Sequence, residues 1–419
     1  QSIKLFIMTS IKYFLLIMSG IVFFSGQSFS QNDLKADTTE GFVFRDLASV
    51  EVSPVKDQNR SGTCWSFAAV SFIEAELLRS TEKLYDISEM FFVRYAYEAK
   101  AERYVRYHGK ANFGGGRQAH DVINVVKEKG LLMESDYPGL KPDEENHNHS
   151  EMDAVLSGYI EALVKNKSRN ISNVWKKAFS GILDAYLGEV PQEIHLNGEM
   201  VPLKKVAEMI GFNPDDYVEI TSYTHHPFYE LLNLEIPDNW SADLYYNVPL
   251  DELMEICRYA LENDYTVCWD GDVSDKGFSF RNGLALVPDD NPKNLTDTEM
   301  SKWEELTEEE KMKTLYDFKE ARQEIAVGQD LRQQHFNSFK ATDDHLMHLT
   351  GLSQDQNGTL YYMTKNSWAD DSNDFGGYLR MSDAYLRLNT VAIMVHKDAI
   401  PASLKEKIIE TARLLPHFP

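Results

Sequence analysis

The period of the apolar residues changes once along this chain, from helical to strand-like, and that order of elements bounds the fold. Phe67, Val70, Ile73, Leu77 and Leu78 recur at helical spacing after Cys64. The same pattern predicts helices over 88–107, with Ser88 as cap, and over 118–129, closed by Gly130. From 141 to 340 the sequence is charged and reads as mostly helical, with helices over 172–187, 203–210, 249–263 and, most clearly, 301–330. One short apolar run there, 266–269, reads as a buried strand. From His345 onward the pattern turns strand-like. Strands are predicted over 345–352, 359–367, 376–381 and 390–396, with Asn357-Gly358 as a hairpin turn. Residues 31–45 read as an extended lead-in and 46–62 as a loop. Helices first and an antiparallel sheet last make an α+β architecture.

A chain of 419 residues can hold two domains, or one large domain with an insertion. Hydrophobic residues at 43% and charged residues at 26% fit a globular protein. The net charge of −24 repels phosphate backbones, so no nucleic acid partner is expected. At the N-terminus, Lys12 precedes an apolar run over 13–24, followed by small residues including Ser28 and Ser30. That run is shorter than a bilayer span, so 1–30 reads as a cleavable secretory signal, with an uncleaved anchor as the alternative. The expected product is secreted or periplasmic, with no stable membrane span after cleavage. Cys64, Cys257 and Cys268 are the only cysteines, too few for a disulfide scaffold. The odd count leaves a thiol unpaired, and Cys64 is the candidate; Cys257 and Cys268 read as core, with a bridge between them as the alternative that an extracellular setting permits.

The chemistry concentrates in two blocks. In the first, Gln58-Asn59-Arg60-Ser61-Gly62-Thr63-Cys64-Trp65-Ser66-Phe67, the cysteine begins a predicted helix. The positive end of a helix dipole favours a thiolate, the nucleophilic form. Gln58 lies upstream on the same loop, where its amide and the Cys64 N–H can donate to a developing oxyanion. In the second block, His345 opens a strand and Asn366 lies on its return, in Lys365-Asn366-Ser367-Trp368. An asparagine carbonyl can orient an imidazole without taking its proton, and Trp368 can keep water off that bond.

These blocks closely resemble the papain superfamily of cysteine peptidases. The cysteine-to-histidine separation is roughly 280 residues, against about 130–150 in papain-type enzymes. The excess falls in the helical middle, the mark of the bleomycin hydrolase and aminopeptidase C branch; Trp269-Asp270-Gly271-Asp272-Val273, Asp343-Asp344-His345 and Leu414-Leu415-Pro416 are similar to that branch too. The resemblance implies a two-lobed papain-like fold. It has a helical lobe with the nucleophile at 31–140, a mostly helical insertion with parts returning to the core at 141–335, a β lobe at 336–400 and a C-terminal arm at 401–419. It implies Cys64 as nucleophile, His345 as base and acid, Asn366 as orienting residue and Gln58 in the oxyanion hole. Gly115 and Gly116 would hold an extended peptide substrate, and Trp368 would shield the site. It further implies peptide substrates, aminopeptidase behaviour enforced by a C-terminal arm in the cleft, and self-assembly into hexameric rings. The rival readings are a secreted endopeptidase and a catalytically silent peptide-binding relative. No cofactor or metal is implied. His345 and His348, three apart on a strand, point to opposite faces and are not expected to share a metal. His225 and His226 read as an exposed pair in a proline-containing loop, and Glu308–Glu310 as a solvated helix face. Ser61 stands where many secreted papain-like enzymes carry a disulfide cysteine.

Overall fold

A helix whose residues are buried all round must be wrapped on every side, and α1 (Cys64–Thr81) is such a helix, buried from Trp65 to Leu77. The computed structural model of the chain describes residues 37–39, 41–140, 144–167, 170–289 and 297–410. On one side of α1 pack α2 (Glu89–Arg106) and α3 (Ala119–Lys129). The hydroxyl of Ser88 accepts the Phe91 N–H and starts α2; α3 ends at Gly130. Outside these lie α4 (Ser150–Val164) and α5 (Val174–Leu187) against α2, and α6 (Leu203–Ile210) against α3. One apolar core unites them, with Phe72, Phe91, Phe92, Val122, Leu156 and Phe179 at its heart.

The other side of α1 faces a mixed sheet of twelve strands. In chain order these are β1 (Asp37–Thr39), β2 (Phe42–Ser49), then, after the separate hairpin of β3 (Glu193–Leu196) and β4 (Glu199–Pro202), β5 (Tyr217–Thr221), β6 (Leu231–Asn233), β7 (Leu244–Asn247), β8 (Val267–Gly271), β9 (Phe278–Ser279), β10 (Leu284–Ala285), β11 (His345–Gln354), β12 (Leu360–Lys365), β13 (Tyr378–Ser382) and β14 (Thr390–His396). Strands β14, β8, β11, β12 and β13 lie side by side, and β8 pairs β11 with Leu346 opposite Asp270. Strand alternation divides their side chains between two cores. Cys268 and Leu346 join the helical core, while Trp269 and Met347 join a second core with Tyr362, Met381 and Tyr385. That second core is closed by α7 (Leu250–Glu262). The remaining helices are α8 (Asp297–Glu305), α9 (Glu308–Leu315), α10 (Gln329–Asn337), α11 (Asp383–Asn389) and α12 (Ala402–Lys405).

Three expectations need correction. Residues 42–49 are a strand rather than lead-in and loop: β2 pairs with β11 over Gly351–Gln354. Phe42 and Phe44 are buried, but the outward positions carry the apolar Val43 and Leu47, which blurs the alternation. The single helix over 301–330 is broken. Thr307 caps a fresh helix through a reciprocal pair of bonds with Glu310, and left-handed Phe318 (φ 55°) follows the end of α9. The middle is less helical than its composition suggests, because β5–β10 all join the main sheet. Two pairings, β5 with β7 and β10 with β13, are parallel, so the sheet is mixed. These strands are two to five residues long, too short to display a period. The expected signal at 1–30 lies outside the described residues, as do residues 411–419 of the expected arm. Among the described residues, no helix is long and apolar enough to cross a membrane.

Candidate active site

Cys64 is the first residue of α1, so its N–H has no acceptor within the helix. No acidic residue stands in the first helical turn to cancel the dipole, and the residue keeps partial exposure to the cleft. Gly62 turns the chain into this position with φ of 64°, a conformation that penalises any side chain. Burial pushes the Cys64 thiol up to about 12; the amides of Leu346 and Trp65 donate to sulfur and oppose this, while Asp270 and Asp343 reinforce it. The Leu346 contact matters for geometry, because it sets the thiol beside the strand residue that follows His345.

His345 is buried and its Nε2 lies 2.8 Å from Asn366 Oδ1. The same oxygen accepts the Ser367 N–H at 2.8 Å, which fixes the amide orientation. Nε2 must therefore carry the proton, and Nδ1 is the nitrogen left to exchange a proton. The ring of Trp368 lies 4.9 Å from that of His345, and Phe280 packs edge-on against Trp368 at 4.9 Å. Burial pushes His345 down to about 4, against the Asn366 bond and the charge of Asp344. Taken one at a time, both groups favour neutrality. A proton passing from sulfur to ring creates both charges together, and their attraction, the helix dipole and the two amides act against the burial.

One short segment sets both halves of the site. The Gln58 N–H donates to Ser367 O at 2.9 Å, and Asp57 bridges Trp368. The Ser367 hydroxyl donates to Gln58 Oε1 at 2.7 Å. With its oxygen taken, the Gln58 amide has its Nε2 donors free for a ligand. Asn366 thus orients the imidazole and Ser367, its neighbour, orients the glutamine. Sequence reasoning did not single out Ser367, although it stands inside the Asn-Ser-Trp block.

The glycine loop carries a second feature that sequence reading missed. Lys100, fully buried, donates to Gly114 O and Gly116 O at 3.1 and 2.7 Å. Arg117 donates to Gly115 O at 2.7 Å while stacked over Tyr97 and Trp65. Gly116 is held to glycine by contact, since a Cβ there would sit 1.8 Å from Asp238 Oδ2. Gly115 packs beside the Gly62 carbonyl, so the loop borders the turn that leads into Cys64.

The remaining candidates fall elsewhere. His348 bonds Ser71 through Nδ1 at 2.9 Å, away from the Asn366 partner of His345. Cys257 and Cys268 are buried free thiols. His225, His226 and Glu235 gather their donor atoms within 4.8 Å. The Thr224 N–H binds Gln333 Oε1 at 2.6 Å, so Gln333 Nε2 donates to His225 Nδ1 at 3.1 Å. That leaves the proton on His225 Nε2, the nitrogen facing Glu235 at 3.2 Å, which describes a hydrogen-bonded pair rather than a ligand set.

Comparison with known proteins agrees with this geometry. The model of the Papain family cysteine protease matches residues 39–186, and that of the Peptidase C1-like family matches 308–418. Cys64 falls in the first match, and His345 and Asn366 in the second. Aminopeptidase G of Lactobacillus delbrueckii subsp. lactis is 21% identical over 403 residues, covering 85% of this chain and 84% of its own. Cysteine proteinase 1, mitochondrial, of Saccharomyces cerevisiae is 21% identical over 427 residues, covering 90% and 81%. The senescence-specific cysteine protease SAG39 of rice is 28% identical over 150 residues, and the chain spans 41% of that relative's length. Among solved structures, PepW from Lactobacillus rhamnosis superposes with a TM-score of 0.65 at 17% identity, covering 87% of this chain and 85% of that one. The two matched segments, one holding Cys64 and the other His345 and Asn366, mark the chain as a papain-like cysteine peptidase. It is similar to Aminopeptidase G and Cysteine proteinase 1 along most of their length, on both sides of the long middle region.

Proposed function

We propose that this protein hydrolyses peptide bonds through a thioester acyl-enzyme and acts as an aminopeptidase. The observation that carries the reading is the fixed tautomer of His345, whose Nε2 is tied to Asn366 while the thiol sits beside the next residue of the strand. In this reading Cys64 attacks the carbonyl carbon and its proton passes to His345 Nδ1. Gln58 Nε2 and the Cys64 N–H receive the oxyanion. His345 then protonates the leaving amine and later activates water against the thioester. Gly115 and Gly116, their carbonyls engaged by Arg117 and Lys100, offer the substrate their N–H groups. The name of Aminopeptidase G supports exopeptidase action. The test compares reporter peptides with free and N-acetylated amino termini; equal turnover of both would sink the exo assignment in favour of an endopeptidase. The N-terminal sequence supports a secreted or periplasmic enzyme, checked by sequencing the mature N-terminus from cell fractions. Self-assembly into a ring is checked by light scattering.

Two predictions follow from the electrostatics and the shared segment. Protonated His345 beside a neutral thiol is inactive, and loss of one proton from the pair generates the competent state, whichever atom keeps the other. With His345 pushed down to about 4, kcat/KM is expected to rise with pH through about 4 and to be near its plateau by about 6. An acid limb centred above 6 in the pH–rate profile would contradict the burial argument. Ser367→Ala is expected to lower kcat by about tenfold with little change in KM, because Gln58 loses its orienting donor without losing its own. Steady-state kinetics decides between this and an unchanged kcat.

A further inference from the structure

Two aspartates separated by a single residue meet opposite fates in this fold. Asp272 accepts bonds from Ser274 N and Oγ, Asp275 N, and Thr342 N and Oγ1. Asp270 is 3% exposed, and neither of its oxygens meets an N–H or O–H donor among the described residues. A buried carboxylate without donors is costly, and its nearest polar neighbour makes matters worse. That neighbour is the carboxyl of Asp343, within hydrogen-bonding reach, and burial together with the Asp343 charge pushes Asp270 well above the ordinary carboxyl range, so the empty pair retains a proton. Asp343 accepts from Gln118 Nε2 at 3.0 Å through Oδ1, while its Oδ2 also lacks a donor. A third carboxylate, Asp238, bears on both and lies against the bare backbone of Gly116.

The cations of this region make their hydrogen bonds elsewhere, although the charge of Lys100 is felt by Asp238 and Asp343. Lys100 holds the carbonyls of Gly114 and Gly116, and Arg117 holds that of Gly115 under two aromatic rings. Within salt-bridge distance, no described residue pairs with Asp270, Asp343 or Asp238. The cluster also stands at the nucleophile. Asp270 is registered opposite Leu346, whose amide donates to the Cys64 sulfur, and both Asp270 and Asp343 act on that sulfur through their charge. Carboxylates there oppose thiolate formation, so they work against the chemistry of an empty site.

We infer that Asp270 and Asp343, with Asp238 at their edge, form a binding site for an ammonium group of the substrate, on the cleft wall beside Cys64. This rests on the peptidase reading and specifies its substrate class. An ammonium brings N–H donors and one positive charge: it can donate to the Asp270 and Asp343 oxygens that meet no donor here and takes the place of the proton that burial keeps on the pair. Seated there, it relieves the repulsion between the carboxylates and removes their opposition to the thiolate. The ammonium is either the free α-amine of the peptide or a lysine side chain near the scissile bond.

The full-length chain is assayed on matched reporter peptides, free or N-acetylated at the amino terminus, with lysine or norleucine in the residues preceding the scissile bond. The expected result is a kcat/KM at least tenfold higher for substrates carrying an ammonium, chiefly through KM, with the ratio falling below threefold in Asp270→Asn and Asp343→Asn. Preference for the free terminus assigns the α-amine, and preference for acetylated lysine peptides assigns the side chain. A wild-type enzyme indifferent to charge, or variants that keep the preference, overturns the site. Should the variants not fold, the wild-type protein still decides: leucinamide is expected to raise the melting temperature more than N-acetyl-leucinamide, and equal shifts count against the site. Epoxide-type labelling of Cys64 separates the two readings. An unlabelled, inactive wild type removes the peptidase itself, whereas a labelled, active enzyme without cation preference removes only the carboxylate site.

Discussion

Replacing Cys64 with alanine is expected to reduce peptide hydrolysis by at least about 10⁴-fold, because no other group in the site can form the thioester. Cys268 is nearby but buried in the strand layer, and Cys257 is buried in the second core, so neither thiol can stand in. The substitution removes one sulfur atom from a partly exposed position, and the fold should be retained. The measurement pairs kinetics with mass spectrometry. Wild-type protein treated with an epoxide-type alkylator should gain one adduct at Cys64 and lose activity in proportion, while the alanine variant should gain none. Full activity in the variant, or inactivation by an adduct elsewhere, would end the assignment of the nucleophile.

The second large effect concerns stability. Trp269→Ala is expected to cost about 3–5 kcal/mol, the usual range for emptying a fully buried aromatic site. Trp269 has no exposed surface, lies in β8 between β11 and β14, and donates Nε1 to Thr390 Oγ1 at 2.8 Å. Its loss opens a cavity in the second core and leaves the threonine hydroxyl without that partner. Trp269→Phe separates the two contributions: it keeps most of the packing, loses the hydrogen bond, and is expected to cost about 1–2 kcal/mol. Denaturant midpoints with unchanged m-values report both. A cost below about 1 kcal/mol for the alanine variant would mean that the surrounding residues collapse into the space.

The site was more legible in the sequence than the fold around it. Cys64, Gln58, His345, Asn366 and Trp368 could be picked out because nucleophile, donor, base and orienting residue each need a distinct side chain in a short local context. The strand from Thr390 to His396 and the helix from Leu203 to Ile210 were equally plain, the first as a nearly continuous apolar run and the second because Leu203, Val206, Ala207 and Ile210 recur at helical spacing. Elements whose burial is set by distant partners were hidden. Phe44 turns inward onto Tyr361 and Arg380, and Phe42 stacks on Phe44 in the same small cluster. The chain after Leu315 is tied back to the sheet by Glu324, which accepts the Val287 N–H, a contact made with a residue distant in sequence. Asp270 read only as part of a family-like block. Its lack of donors depends on what surrounds it in space and leaves no trace in spacing.

The pairing of β2 with β11 has a consequence for the order in which the protein can mature on the ribosome. Strand Phe42–Ser49 finds its partner only when Gly351–Gln354, about three hundred residues later, has emerged, and His345 and Asn366 are supplied by that same later stretch. Contacts so far apart close slowly. A nascent chain interrupted anywhere before that stretch carries the sulfur but no imidazole, and it exposes the phenylalanines that the finished sheet covers. Chains cut short of that stretch are therefore expected to be inert as hydrolases and prone to aggregation or clearance, so proteolytic power arrives only once His345 and Asn366 have been added.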